Sequence, residues 1–90
     1  MSLTTVNTVA FSPEGADLVA SAITTRIHWL ERSWNTEVGA AKNAEALYQR
    51  TGNPRWEKKL DDHHTRALEY ADKIATLGEI FDALQAIARA

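Results

Sequence analysis

The stretch Arg50-Thr-Gly-Asn-Pro-Arg-Trp56, RTGNPRW, places a glycine and a proline two residues apart, in a chain of 90 residues that has only four glycines and two prolines. Gly52 can adopt the left-handed conformation that ends a helix. Asn53 can accept a hydrogen bond from the first turn of a following helix, and the fixed φ of Pro54 suits the first position of that helix. The stretch therefore predicts a helical hairpin, in which one helix ends and a second begins after a short turn.

Outward from this turn, two heptad stripes of mainly apolar residues predict helices over about 13–50 and 54–89. The first helix is predicted to begin at Pro13, because Ser12 can cap it and Glu14 complements its positive end. Across the turn the two stripes match, so that Leu30 lies opposite Ile74. The first stripe contains Ala20, Ile23, Ile27, Leu30, Trp34, Glu37, Ala41, Ala44 and Tyr48. The second contains Trp56, Leu60, His63, Ala67, Tyr70, Ile74, Leu77, Phe81, Leu84 and Ala88.

The predicted organisation is all-α: a single helical domain over 1–90, with an extended arm at 1–11, the first helix within 12–51 and the second within 53–90. The arm is rich in Thr and Val and has no helical period. One alternative is a break at 35–39, "NTEVG", which would give a three-helix bundle. That alternative stays open because a glycine inside a helix costs only about 1 kcal/mol.

Apolar residues outside the stripes predict an assembly surface. Two helices alone cannot bury the apolar residues that lie beyond both stripes, so a partner surface is expected. A homodimer that completes a four-helix bundle is the favoured partner, since two-fold symmetry is common in small proteins. The N-terminal arm or a different protein could cover the same face. The predicted interface residues are Leu18, Val19, Ala22, Trp29, Ile80 and Ile87.

Charge is unevenly distributed along the chain. Between Lys42 and Lys59 there are five Lys or Arg residues against Glu45 and Glu57, a net charge of +3, whereas the whole chain carries −2. A positive turn could bind phosphates or an acidic protein surface. The alternative is that these charges only solvate the turn. The predicted partner-binding residues of this basic tip are Arg50, Arg55, Trp56, Lys58 and Lys59.

Histidine and acidic residues cluster in Asp61-Asp-His-His64, "DDHH". At most two of these four side chains can converge, because neighbours on a helix point about 100° apart. His63 lies on the second stripe near Glu37 of the first, so we expect a hydrogen bond between them that fixes the register of the helices. A metal site is the alternative, but we assign no metal ligand and expect no cofactor.

Two carboxylate pairs, Glu69/Asp72 and Glu79/Asp82, have the i, i+3 spacing that resembles the magnesium-binding pairs of all-helical nucleotide pyrophosphatases of the MazG type. Here the preceding ExxE element is missing, and the pairs point away from the stripes. The sequence contains neither a glycine-rich phosphate loop nor a cysteine. We therefore expect no enzyme and no catalytic residue.

Length and hairpin shape also resemble the small secreted helical-hairpin proteins whose two helices are joined by a Trp-x-Gly turn. That resemblance implies export. In this chain Gly52 precedes Trp56, and Ile74 occupies the fourth position after Tyr70, where that class has an acidic export residue.

The sequence favours a cytoplasmic protein that does not interact with membranes. Its first 20 residues lack a basic segment followed by an apolar one, and no apolar run reaches roughly 18 residues. The expected function is a non-enzymatic protein–protein interaction module, such as an adaptor, inhibitor or chaperone-like dimer. The alternative is a dimer that binds nucleic acid through its basic tip.

Overall fold

The computed structural model describes residues 11–89, which form two helices and no strand. Helix α1 spans Pro13–Thr51 and helix α2 spans Pro54–Arg89. These bounds agree with the predicted ones to within one residue. The all-α helical hairpin is therefore confirmed. Apart from its last residue, Phe11, the predicted extended arm lies outside the described residues.

Both ends of α1 are closed by the residues that the sequence indicates. The Ser12 hydroxyl accepts a hydrogen bond from the Gly15 amide at 3.0 Å, which satisfies one of the free N–H groups of the first turn. At the other end Gly52 has a φ of 67° and donates its amide to the Tyr48 carbonyl at 2.7 Å. A left-handed glycine that closes the last turn is a common helix terminator.

Helix α2 begins directly after this turn. The Asn53 side chain accepts a hydrogen bond from the Arg55 amide at 3.0 Å, as expected for a cap. Pro54 is the first helical residue. An N–H at this position has no partner within the helix, so proline loses no helical hydrogen bond there. The turn chemistry predicted from the sequence is therefore present in the structure.

The predicted alternative of a helix break at 35–39 is wrong. Helix α1 continues through this segment, and Gly39 lies within it on an exposed face. A modest propensity cost at one glycine does not end a helix when the apolar stripe continues on both sides of it.

The chain forms two compact units. Among the described residues, the first contains 11–29 and 73–89. Its core is formed by Ala16, Ala20 and Leu84, all at most 1% exposed. Further apolar residues pack around this core: Phe11, Ile23, Ile80, Phe81, Ala83, Ile87 and Ala88.

The second unit, residues 30–72, contains the turn. Its buried residues are Leu30 and three alanines, Ala41, Ala44 and Ala67. The stripe residue Trp34 is 36% exposed, which the heptad pattern alone does not predict. Its ring is too large for two helices to cover, and tryptophan is rarely fully buried for that reason.

Candidate interaction surfaces

An exposed apolar surface lies on α1 in the first unit, and we call Leu18, Val19, Ala22 and Trp29 the α1 patch. Leu18 is 72% exposed, Val19 38% and Trp29 45%. Leu18, Ala22 and Trp29 follow a helical spacing that places them on one face of α1. Exposed leucine and tryptophan on one face are typical of a protein contact surface.

A cation lies on the tryptophan of the α1 patch. The guanidinium carbon of Arg26 is 4.4 Å from the centroid of the Trp29 ring. An arginine stacked on an exposed tryptophan gains roughly 0.5–1 kcal/mol and holds the ring in one orientation. Arginine and tryptophan are also the residue types that contribute most to protein interfaces.

Two of the predicted interface residues, Ile80 and Ile87, are less exposed than the four on α1. Ile80 and Ile87 of α2 are half-buried and pack against the core of the first unit. Part of each side chain is therefore covered within the chain, and the more exposed residues of the predicted interface lie on α1. Both isoleucines lie outside the heptad stripe of α2, so the buried face of this helix is wider than the stripe alone.

A second exposed leucine lies in the other unit. Leu68 on α2 is 71% exposed, but the residues three and four positions from it on the same helix are mainly polar: Asp72, His64 and Thr65, with Ala71 as the exception. A single exposed apolar side chain is normal on a protein surface. Leu68 thus matches Leu18 in exposure without belonging to a patch.

The basic tip lies at the turn, in the second unit. Arg50, Arg55, Lys58 and Lys59 are exposed, and Trp56 is half-buried. The Arg55 guanidinium carbon lies 5.3 Å from the centroid of the Trp56 ring, and the Lys59 Nζ lies 5.1 Å from it. Both cations are within cation–π range, so part of the charge of the tip is directed toward its own tryptophan.

A tyrosine links the two helices beside the tip. The carboxylate of Glu57, on α2, raises the pKa of Tyr48, on α1, and a hydrogen bond between the two side chains acts in the same direction. The negative charge of Glu57 disfavours a phenolate beside it, and only the neutral phenol can donate to the carboxylate, so both effects favour the neutral tyrosine. The sequence does not predict this contact. The position of Tyr48 on the first stripe predicts only that its ring packs between the helices.

The polar residues of the seam meet as expected. The carboxylate of Glu37 on α1 lies 2.6 Å from Nδ1 of His63 on α2 and 3.3 Å from Nε of Arg66. The Glu37 and His63 side chains are 17% and 23% exposed. The predicted hydrogen bond between them is therefore confirmed, with Arg66 as a third member that the heptad pattern does not reveal.

The protonation of this cluster follows from its contacts. The hydrogen bond from His63 is the largest effect on the pKa of Glu37 and lowers it. Burial, the next largest, raises this pKa, and the charge of Arg66 lowers it again, so that the net shift is downward. An ionised Glu37 accepts, so His63 Nδ1 must carry the hydrogen. Arg66 Nη2, at 3.2 Å from the same Nδ1, is itself a donor and therefore makes a contact there without a hydrogen bond.

The remaining polar candidates do not converge. Among residues 11–89, no three His, Asp or Glu side chains come together as a metal site would require. His28 and His64 are exposed. The carboxylates that resemble magnesium-binding pairs are all exposed as well: Glu69, Asp72, Glu79 and Asp82.

Comparison with known proteins does not identify this chain. The chain matches no known protein family, curated protein or solved structure. Neither described helix is long and apolar enough to cross a membrane.

Proposed function

We propose that this chain is a non-enzymatic protein–protein interaction module that forms a homodimer through the α1 patch. The dimer would act in the cytoplasm as an adaptor, inhibitor or chaperone-like protein, with its basic tips or the exposed carboxylates of α2, such as Glu69 and Asp72, available to a second protein. The observation that carries the proposal is the exposure of Leu18 and Trp29, 72% and 45%, on one face of one helix.

The small core of the first unit supports the proposal. Its fully buried side chains are two alanines and Leu84, which provide little apolar area. A chain of 90 residues buries a modest fraction of its surface when it folds alone, and association adds to that fraction. Fully burying an exposed leucine contributes roughly 1.5–3 kcal/mol. Leu18, at 72% exposed, would gain most of that amount on being covered, whereas Trp29 is already more than half covered.

The polar cluster supports a role without catalysis. Glu37, His63 and Arg66 are engaged with one another across the two helices. A carboxylate that accepts from both an imidazole and a guanidinium is held as an ion and is a weak general base. We therefore assign this cluster to the pairing of α1 with α2.

The proposal is tested by comparing carboxylates placed inside the α1 patch with one placed outside it. Leu18→Glu alone is the single patch variant that Leu68→Glu matches in exposure. Leu18→Glu combined with Trp29→Glu places two carboxylates in the α1 patch and should convert a dimer into a monomer in light scattering. Leu68→Glu changes a leucine of nearly equal exposure, 71%, outside the patch and should leave the dimer intact. A dimer that survives the patch substitutions would contradict the proposal.

A second candidate function is nucleic-acid binding by the same dimer through its two basic tips. It is favoured by the exposure of Arg50, Arg55, Lys58 and Lys59 at one turn. The contacts of Arg55 and Lys59 with Trp56 argue against this candidate. A phosphate would have to compete with the Trp56 ring for these two cations, and a base would have to compete with the cations for the ring.

Salt dependence separates the two functions. Phosphate binding weakens steeply as salt rises, since bound cations are released from the nucleic acid. Affinity for a single-stranded oligonucleotide should therefore fall with salt and on changing Arg55, Lys58 and Lys59 together to Ala. Absence of binding at low salt would exclude this second candidate and leave the first untouched.

A further inference from the structure

The α1 patch has a symmetric pattern along the helix. Leu18 and Trp29 lie about three turns, or about 16 Å, apart on one face. Between them, on the same face, lie the small residues Ala22 and Thr25, both exposed. The spacing of these four residues alternates four, three and four, which is the knob pattern of paired helices.

Building on the homodimer proposed above, we propose that the second copy packs its own α1 antiparallel against the α1 patch. The two-fold axis passes between Ala22 and Thr25, so that Leu18 of each copy packs on Trp29 of the other. Ala22 of each copy then faces Thr25 of the other. A two-fold contact of this kind is closed and needs no further copies.

The small central residues permit this approach. Paired helices lie about 8–10 Å apart, with the shorter distances where small side chains meet. The Thr25 hydroxyl donates to the Ser21 carbonyl of its own helix at 3.4 Å, so it can be covered without losing a bond. In an antiparallel pair, the large residues Leu18 and Trp29 meet at the two ends of the contact, and the small residues Ala22 and Thr25 meet at its centre.

Charge favours the antiparallel direction over the parallel one. Glu14 lies toward the start of α1, whereas Arg26 and Arg32 lie on either side of Trp29, with Glu31 between them. Antiparallel packing brings Arg32 of one copy, three residues beyond Trp29, beside Glu14 of the other, four residues before Leu18. Parallel packing would place Arg26 beside Arg26 of the partner copy and Glu14 beside its equivalent, which opposes association.

The direction can be measured with spin labels, because the chain has no cysteine of its own. Single variants Ser21→Cys, Asp17→Cys and Glu14→Cys each carry one label per copy, and all three positions are exposed. In the antiparallel dimer, equivalent labels separate along the axis by about 3 Å for each residue from the centre. That gives about 8 Å at Ser21, about 20 Å at Asp17 and about 28 Å at Glu14.

Electron–electron distance measurements on each variant should be paired with light scattering on the same sample. A dimer whose label distances increase from Ser21 to Glu14 is the expected result. A dimer with equal distances at the three positions would overturn the antiparallel geometry while leaving the proposed homodimer in place. A monomer at all concentrations would overturn both.

Discussion

His63 Nδ1 lies 2.6 Å from the carboxylate of Glu37 and joins α2 to α1 through a half-buried hydrogen bond. Arg66 adds a longer contact to the same oxygen, at 3.3 Å. A polar pair in an apolar seam penalises any register in which the two groups fail to meet. We therefore interpret this cluster as the element that selects one pairing of the helices.

Removal of either partner should destabilise the hairpin. His63→Ala or Glu37→Ala should each lower the free energy of unfolding by about 1 kcal/mol, the usual worth of such a bond. The double variant should lose less than the sum, since each single change already removes the shared bond. Urea denaturation measures all three, and strictly additive losses would contradict the coupling. Arg66→Ala is the control with a smaller expected loss, because its side chain is 51% exposed.

The same pair predicts how stability depends on pH. The pKa of Glu37 is lower in the folded chain, chiefly through the hydrogen bond from His63. Its contribution to stability is therefore fully present above the ordinary carboxyl pKa of about 4.3 and is lost as pH falls through the lower, folded value. The difference in unfolding free energy between the native chain and Glu37→Gln should be larger at pH 7 than at pH 3. An equal difference in unfolding free energy at pH 7 and pH 3 would show that ionisation of Glu37 does not contribute to stability.

A glycine inside α1 offers a stabilising change. Gly39 is exposed, and a Cβ added there would meet nothing within 4 Å. Gly39→Ala should therefore raise the free energy of unfolding by about 1 kcal/mol, because alanine loses less backbone freedom on forming a helix. A loss of stability in thermal denaturation would mean that the helix is distorted at this position.

The glycine of the turn should respond in the opposite direction. Gly52 also has open space around it, but its φ of 67° is unfavourable for any residue with a Cβ. Gly52→Ala should lower the free energy of unfolding by roughly 1–2 kcal/mol, the cost of the left-handed conformation. Comparison with Gly39→Ala separates this backbone effect from the side-chain change, which is identical in the two variants.

The helix caps and the turn between the two helices could be predicted from the sequence, because they depend on residues that are close together in the chain. Ser12, Gly52 and Asn53 each form the local bond that their position indicates. The pairing of Glu37 with His63 could also be predicted, because two polar residues on matching stripes have few other partners.

Burial beyond the stripes could not be predicted in the same way. Ile80 and Ile87 contact the core, and Trp34 remains partly exposed, because these outcomes depend on side-chain volume and on how closely the helices approach. A heptad pattern gives neither the volume of the side chains nor the distance between the helices. The contacts of Arg66 with Glu37 and of Tyr48 with Glu57 depend on side-chain reach in three dimensions and were missed for the same reason.

The solution mass of the native chain over a range of concentrations tests the role of the α1 patch most directly. Association through Leu18 and Trp29 predicts a mass that rises with concentration toward twice the 10.0 kDa of one chain. A well-folded chain that stays at 10.0 kDa throughout would contradict the homodimer and would leave the N-terminal arm or a different protein to cover the α1 patch.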